Sequence, residues 1–306
     1  MPPFLKSLIT AIVAAAAILA FCVSVVAPNV RTPVVGSPLH QETRQLISPA
    51  APKLRLVAED GSVRVRVHGE DAVKIVADVA VYSHRREPDA DLDAYLDQML
   101  RLEADDERVT LVSEPGERPG GLDVFVDYTV LVPPGTDLNV TSANGNVWVA
   151  QGCGDVTVRG SNTDIEIIEP QGAVFARSTN GRIRVLDARH TTDLETVNGN
   201  VYAHMKGGSL NANTINGAIV TRVLGPDVST CDLATQNGGI TVVFSEEFEA
   251  QIDARTARGS VRADAPFAPD DGVTRRRQLR GGYGEGGTAL NLDTLNGNIR
   301  IARSGG

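Results

Sequence analysis

Six acidic residues fall at positions that the local alternation of the chain turns outward: Glu166, Asp193, Glu195, Asp232, Asp253 and Asp293. Clustered carboxylates on one face of a β-rich protein can cleave glycosidic bonds or hold a calcium ion. Here they are isolated. Asp193 and Glu195 share a strand face with Asp232 two repeats further on, which is too thin a set for a metal site. The five histidines (His40, His68, His84, His190 and His204) occur singly, with no i, i+4 pair and no cysteine at ligand spacing. They read as loop or surface residues. No Gly-x-Ser-x-Gly elbow, phosphate loop or dinucleotide fingerprint is present. The run Gly281–Gly287 lacks the lysine and following helix of a phosphate cradle. The sequence therefore predicts no catalytic residue, no metal and no cofactor, and the chain is read as a non-enzyme.

Binding is the chemistry that remains. Trp148 and Tyr202 fall at the same outward position of two repeats, with Glu166 and Arg184 in the repeats between them. Exposed rings beside charges can stack on sugars, so Trp148 and Tyr202 form a candidate ligand surface. The segment Arg275-Arg-Arg-Gln-Leu-Arg280 reads as a flexible surface loop, with a basic contact for an acidic polymer or headgroup as the sharper alternative. A formal charge of −9 argues against nucleic acid as a partner.

What must position these side chains is a repeat. Six clear copies of one phrase place Asn-Gly at Asn144-Gly145, Asn180-Gly181, Asn198-Gly199, Asn216-Gly217, Asn237-Gly238 and Asn296-Gly297, each with Ser or Thr three positions before the glycine. Two worn copies are Ser161-Asn-Thr163 and Thr256-Ala-Arg-Gly259. From one glycine position to the next the spacings are 18, 18, 18, 18, 21, 21 and 38, the mark of a repeat architecture. Apolar residues fill the columns seven and five before the glycine and two and four after it, as in Val156, Val158, Ile165 and Ile167. That is the period-2 signature of strands with one buried face, turning at the Asn-Gly pair. A meander of hairpins and a β-solenoid both satisfy the pattern. Constant corners at constant period favour the solenoid, because like residues then stack and asparagines can bond from coil to coil. The expected fold is all-β, with about eight coils of 18–21 residues. Asn and Gly are expected at the corners for their tolerance of positive φ, so Gly199→Val should cost more than Ile183→Ala.

The repeats set the expected domains. Residues 1–30 form a signal anchor or signal peptide, 31–52 a Pro-rich linker, 53–135 an N-terminal β-rich capping region with one short helix, and 136–303 the solenoid. Residues 8–27 are an uncharged apolar run behind Lys6, long enough to span a bilayer with the short N-terminus in the cytoplasm. Val25-Val26-Ala27 before Pro28 is a poor cleavage site, so an uncleaved anchor and a cleaved signal both stay open; either exports the rest. Asp60-Gly61 between Val-rich runs suggests a hairpin. Leu92, Tyr95, Leu96, Met99 and Leu100 mark an amphipathic helix behind Pro88. Cys153 and Cys231 fall several coils apart, too far for a disulfide, and both are expected to be free. The last coil, ending at Arg303, is expected to leave an open edge for self-association or a partner.

The stretch Leu131-Val-Pro-Pro-Gly-Thr-Asp-Leu-Asn-Val-Thr-Ser-Ala-Asn-Gly-Asn-Val-Trp-Val149, followed by the Thr-x-Asn-Gly-x-Ile/Val series, resembles the bacterial putative-adhesin family. These are β-strand-repeat domains of unknown function, related to head GIN domains. The resemblance covers roughly residues 53–303 and implies a β-helical, envelope-associated domain with no known activity. The worn coils and the basic insertion before the final coil depart from it. The expected function is a non-catalytic, exported, membrane-anchored scaffold or interaction domain of the cell envelope, meeting an envelope protein or glycan. A surface protein that binds or degrades polysaccharide is the alternative.

Overall fold

The computed structural model of the chain describes residues 37–83, 92–113, 122–245, 248–264, 267–270, 275–284 and 286–303. Strands leading into the corners are β2 (Lys53–Asp60), the first halves of β8 (Asp137–Val149) and β9 (Val156–Ile168), β10 (Val174–Asn180), β12 (Thr192–Asn198), the second halves of β13 (Val201–Thr214) and β14 (Ile219–Asn237), β16 (Ala250–Arg258) and β20 (Thr288–Asn296). They form one parallel sheet, sheet I. Strands leaving the corners are β3 (Val63–Val67), the remaining halves of β8, β9, β13 and β14, β11 (Ile183–Ala188), β15 (Ile240–Phe244), β17 (Val261–Ala263) and β21 (Ile299–Arg303). They form the parallel sheet II. Like positions stand on like, as in the inward file Val140, Val158, Ala176, Leu194, Ala212, Leu233 and Leu292. This is a β-solenoid. A hairpin would pair its own two strands antiparallel, whereas here each strand pairs parallel with the next repeat. The inward columns of both sheets meet in one continuous apolar core, and side chains of this kind each contribute about 1.5–3 kcal/mol when fully buried.

Asp60-Gly61 does not make a hairpin. β2 and β3 pair with β8 on the same side, so Asp60 stands in register with Asn144 and the dipeptide is one more corner. A further rung comes from β6 (Arg108–Ser113), parallel to β2, and β7 (Leu122–Val132), parallel to β3. The region expected as a cap thus contributes two rungs of its own. Among the described residues, sheet I holds ten such strands in the order β6, β2, β8, β9, β10, β12, β13, β14, β20, β16.

That order corrects the expectation of an open edge at the last coil. β20 lies between β14 and β16, and β21 between β15 and β17. Both edges of the final coil are paired. The outer rung is β16–β17, and β19 (Gln278–Tyr283) covers β16 antiparallel, with β18 (Ala268–Pro269) beyond it. The basic segment read as a loop is therefore built into this closure: Thr256 and Val261 donate backbone hydrogen bonds to the carbonyls of Arg277 and Arg276. An apolar edge needs such cover, and Leu279 and Tyr283 of β19 supply buried side chains.

At the other end β4 (Ala72–Ser83) pairs antiparallel with β7, and β1 (His40–Pro49) pairs antiparallel with β4. Residues 40–49, within the segment expected as a linker, are thus a strand; the alternation of Leu46 and Ser48 toward the core makes it possible. β5 (Leu100–Ala104) flanks β6 antiparallel. Helix α1 (Leu92–Met99) buries Tyr95, Leu96 and Met99, while Arg44 of β1 reaches Asp97 at 2.5 Å. Leu100, expected on the helix, opens β5 instead. Pro88 and the apolar run 8–27 lie outside the described residues. Among the described residues no helix is long and apolar enough to cross a membrane.

Candidate functional site

The corners form a continuous ridge. Each asparagine amide donates to the side chain one rung back: Asn144 to Asp60 (2.7 Å), Asn162 to Asn144 (2.7 Å), Asn180 to Asn162, Asn198 to Asn180, Asn216 to Asn198, Asn237 to Asn216 and Asn296 to Asn237 (2.8 Å each). All donors point the same way, and the chain of bonds ends on the Asp60 carboxylate. Such aligned bonds polarise one another. Behind the ridge the buried hydroxyls of Thr196, Thr214, Thr235 and Thr294 donate to the corner glycine carbonyls of the neighbouring rung at 2.9–3.0 Å.

The corner glycines answer a different need from the one expected. Among them, only Gly61 and Gly145 have positive φ. The others are required by close stacking: a Cβ on Gly199 would lie 1.9 Å from the carbonyl oxygen of Gly181. Asparagine, for its part, is there for the ladder, since no corner asparagine has positive φ. The worn repeat keeps its hydroxyl by exchange. Thr163 stands at the glycine position, fully buried, with its Oγ1 3.2 Å from the Ser142 carbonyl, and the usual Ser/Thr position holds Gly160. A Cβ on Gly160 would meet that of Thr163 at 2.4 Å.

Three positions past the corners, sheet II presents an outward file in register: Arg64, Trp148, Glu166, Arg184, Tyr202, Val220, Thr241, Arg300 and Arg262. Trp148 and Tyr202 are half-buried and lie in one file but do not touch: Glu166 and Arg184 separate them, paired at 3.1 Å. Each ring has a guanidinium beside it, Arg66 5.9 Å from the centre of Trp148 and Arg184 5.6 Å from Tyr202. Arg64, Arg66, Trp148, Glu166, Arg182 and Arg184 line a shallow depression. Tyr202 also neighbours His204, whose Nδ1 lies 3.2 Å from Asp187, and Lys206 reaches the same carboxylate at 2.8 Å. Burial pushes the Asp187 carboxyl up, but Lys206 and His204 outweigh it and hold it below the usual range.

A family model described as Toastrack DUF4097 matches residues 123–302. The chain belongs to the Toastrack family. Among solved structures it is similar to a putative adhesin from Bacteroides fragilis, 12% identical over 87% of this chain and 97% of that one, with a TM-score of 0.49. It is also similar to a putative cell adhesion protein from Clostridium sporogenes (14% identical, 86% and 100% covered, TM-score 0.23) and to a putative lipid binding protein from Parabacteroides distasonis (10%, 87% and 97%, 0.43). No curated protein matches it.

On sheet I of this Toastrack protein the outward carboxylates Asp193, Glu195, Asp232 and Asp253 are engaged. Arg177 lies 3.1 Å from Glu195 and 3.8 Å from Asp193. Burial raises both carboxyls above their ordinary range, with Arg177 opposing it. Asn291 donates to Asp232 at 2.7 Å, and Asp253 meets Arg255 and Arg280. Cys153 and Cys231 are buried and unbridged, and burial pushes both thiols up to about 12. One grouping escaped the sequence: His40, Glu42 and Asp93 place ligand atoms within 4.8 Å of one another. The His-x-Glu spacing on a strand was its only signal, and Arg44 already occupies Glu42. Arg64 and Arg66 were also missed. Reading Asp60-Gly61 as a corner, with Val63 and Val65 in the inward columns, would have found them.

Proposed function

We propose that this Toastrack protein is a non-catalytic, adhesin-like scaffold of the bacterial envelope, held by residues 8–27 as a single-pass anchor or released after cleavage, whose exported rod offers a flat face to a partner. The observation that carries it is the in-register file Trp148–Glu166–Arg184–Tyr202 on a rigid parallel sheet. Rings held at fixed intervals by neighbouring guanidiniums suit contact with an extended surface more than turnover of a small molecule. The corner residues from Asn144-Gly145 to Asn296-Gly297 serve structure in this reading, and Trp148 and Tyr202 serve binding.

The test is retention. Full-length protein, solubilised in detergent and immobilised, should hold back one or more isolated envelope polymers or envelope proteins and leave them chemically unchanged. Loss of retention in Trp148→Ala and Tyr202→Ala variants supports the face; retention of nothing by the wild type ends the proposal. One observation favours polysaccharide degradation as a second reading, namely the burial-raised Asp193 and Glu195 on one strand. New reducing ends or unsaturated products from a polysaccharide panel would replace the scaffold with an enzyme.

A further inference from the structure

The chain carries a formal charge of −9, yet the outer face of sheet II is mostly basic. Among the described residues, the outward positions of sheet II from β3 to β17 carry Arg64, Arg66, Arg184, Arg222, Arg300 and Arg262, all exposed, against two carboxylates, Glu166 and Asp164, the latter held by Arg182 at 3.0 Å. Arg184 is the cation that Glu166 engages; Arg64, Arg222 and Arg300 meet no carboxylate among the described residues. On sheet I the corresponding outward file runs Arg55, Asn139, Thr157, Phe175, Asp193, Asn211, Asp232, Asn291 and Asp253, acidic only in the stretch from β12 to β16. An anionic polymer is repelled by that acidic stretch and drawn to sheet II.

The cations of sheet II are also ordered along the rod. Arg64 and Arg66 stand one rung before Trp148, and Arg184 one rung before Tyr202. The two guanidinium–ring pairs are three rungs apart, about 14 Å at the usual strand spacing. We propose that the outer face of sheet II binds a carboxylated polysaccharide laid along the rod axis, the guanidiniums pairing with its carboxylates and Trp148 and Tyr202 packing against its rings. This names the partner class for the contact surface proposed above and rests on that reading. Carboxylates match the planar, bidentate fork of arginine. A neutral glycan leaves these guanidiniums unused. A lipid surface would call for apolar side chains to enter the bilayer, and from Arg64 to Tyr202 this file offers charged and amphipathic ones. Glu166 sits inside the file and opposes the ligand's charge, which sets a threshold that only a polymer reaching several arginines passes.

Binding of polygalacturonate and of neutral dextran to the immobilised full-length protein in detergent tests this. Wild type should retain polygalacturonate and not dextran, and retention should fall as salt rises. Arg64→Gln with Arg184→Gln should weaken binding about tenfold or more, and Trp148→Ala should weaken it too. Glu166→Gln should strengthen it. Arg55→Gln with Arg108→Gln, on sheet I, should leave it unchanged. Melting curves establish that each variant is folded, and the gain expected from Glu166→Gln cannot arise from misfolding. Unchanged binding in the arginine pair, no gain in Glu166→Gln, or preference for anionic vesicles or single-stranded DNA overturns the inference. Retention of a neutral glycan or an envelope protein without polygalacturonate overturns it and leaves the contact surface standing; retention of nothing overturns both.

Discussion

At Gly199 the distance to the next rung decides the residue type. A methyl group there would sit 1.9 Å from the Gly181 oxygen, so the two rungs must part and the ladder bonds beside them stretch. Gly199→Ala should therefore cost about 3 kcal/mol or more, read by chemical denaturation. The exchange at Gly160 and Thr163 makes a sharper case. Gly160→Thr alone drives its Cβ into Thr163 and should destabilise by about 2 kcal/mol. Adding Thr163→Gly should recover most of that loss, because the hydroxyl then returns to the position it holds in other repeats; a double-mutant cycle measures the coupling. Asp193 and Glu195 add a pH effect. Their folded-state values are raised by burial, so the stability linked to them is present below the ordinary carboxylate range and lost as pH rises through the raised values. Asp193→Asn with Glu195→Gln should raise the melting temperature at pH 7, and the gain should shrink on acidification toward that range.

The ladder of asparagines and the sheets behind it belong to the scale of elements. Asn198 both donates to Asn180 and accepts from Asn216, so Asn198→Ala breaks two bonds at the solvent-facing ridge. The expected cost is about 1 kcal/mol. Asn296→Ala, which removes the donor to Asn237, should cost less. A loss at Asn198 about twice that at Asn296 in urea titrations would show that the bonds act singly, and a larger ratio that they act as a chain. These elements were open to reading from the sequence because the inward columns repeat at fixed distance from Asn-Gly, as in Ile183 and Val185 beside Val201 and Ala203. The cause of the corner was not. Positive φ and close stacking both demand glycine, and only coordinates tell Gly145 from Gly199. The candidate face was half legible: Trp148 and Tyr202 share a column, but Arg64 joins it through a corner spelled with aspartate.

For the whole molecule, rung order is what the sequence hides. Every coil offers the same columns to its neighbours, so in-register parallel stacking is satisfied by many permutations, and nothing local separates β20 following β14 from β20 following β16. The chosen order makes the C-terminus structural. Ending the chain after Gly286 removes β20 and β21, stripping β14 and β15 of one partner strand each and β16 and β17 of another. Such a chain should aggregate or fail to fold, as seen by light scattering. Were the final coil merely the outermost one, the truncated protein would stay monomeric and lose only one rung's worth of stability.

The interleaved ends also limit how this rod can change length over evolutionary time. A duplicated copy spliced in near either terminus would have to thread between strands already spoken for. Copies gained or lost in the stretch from β8 to β14, where neighbours in space are neighbours along the gene, would slot in without disturbing anything beyond their two contacts. Descendants of this ancestor should therefore differ in the number of central coils while keeping both closures intact.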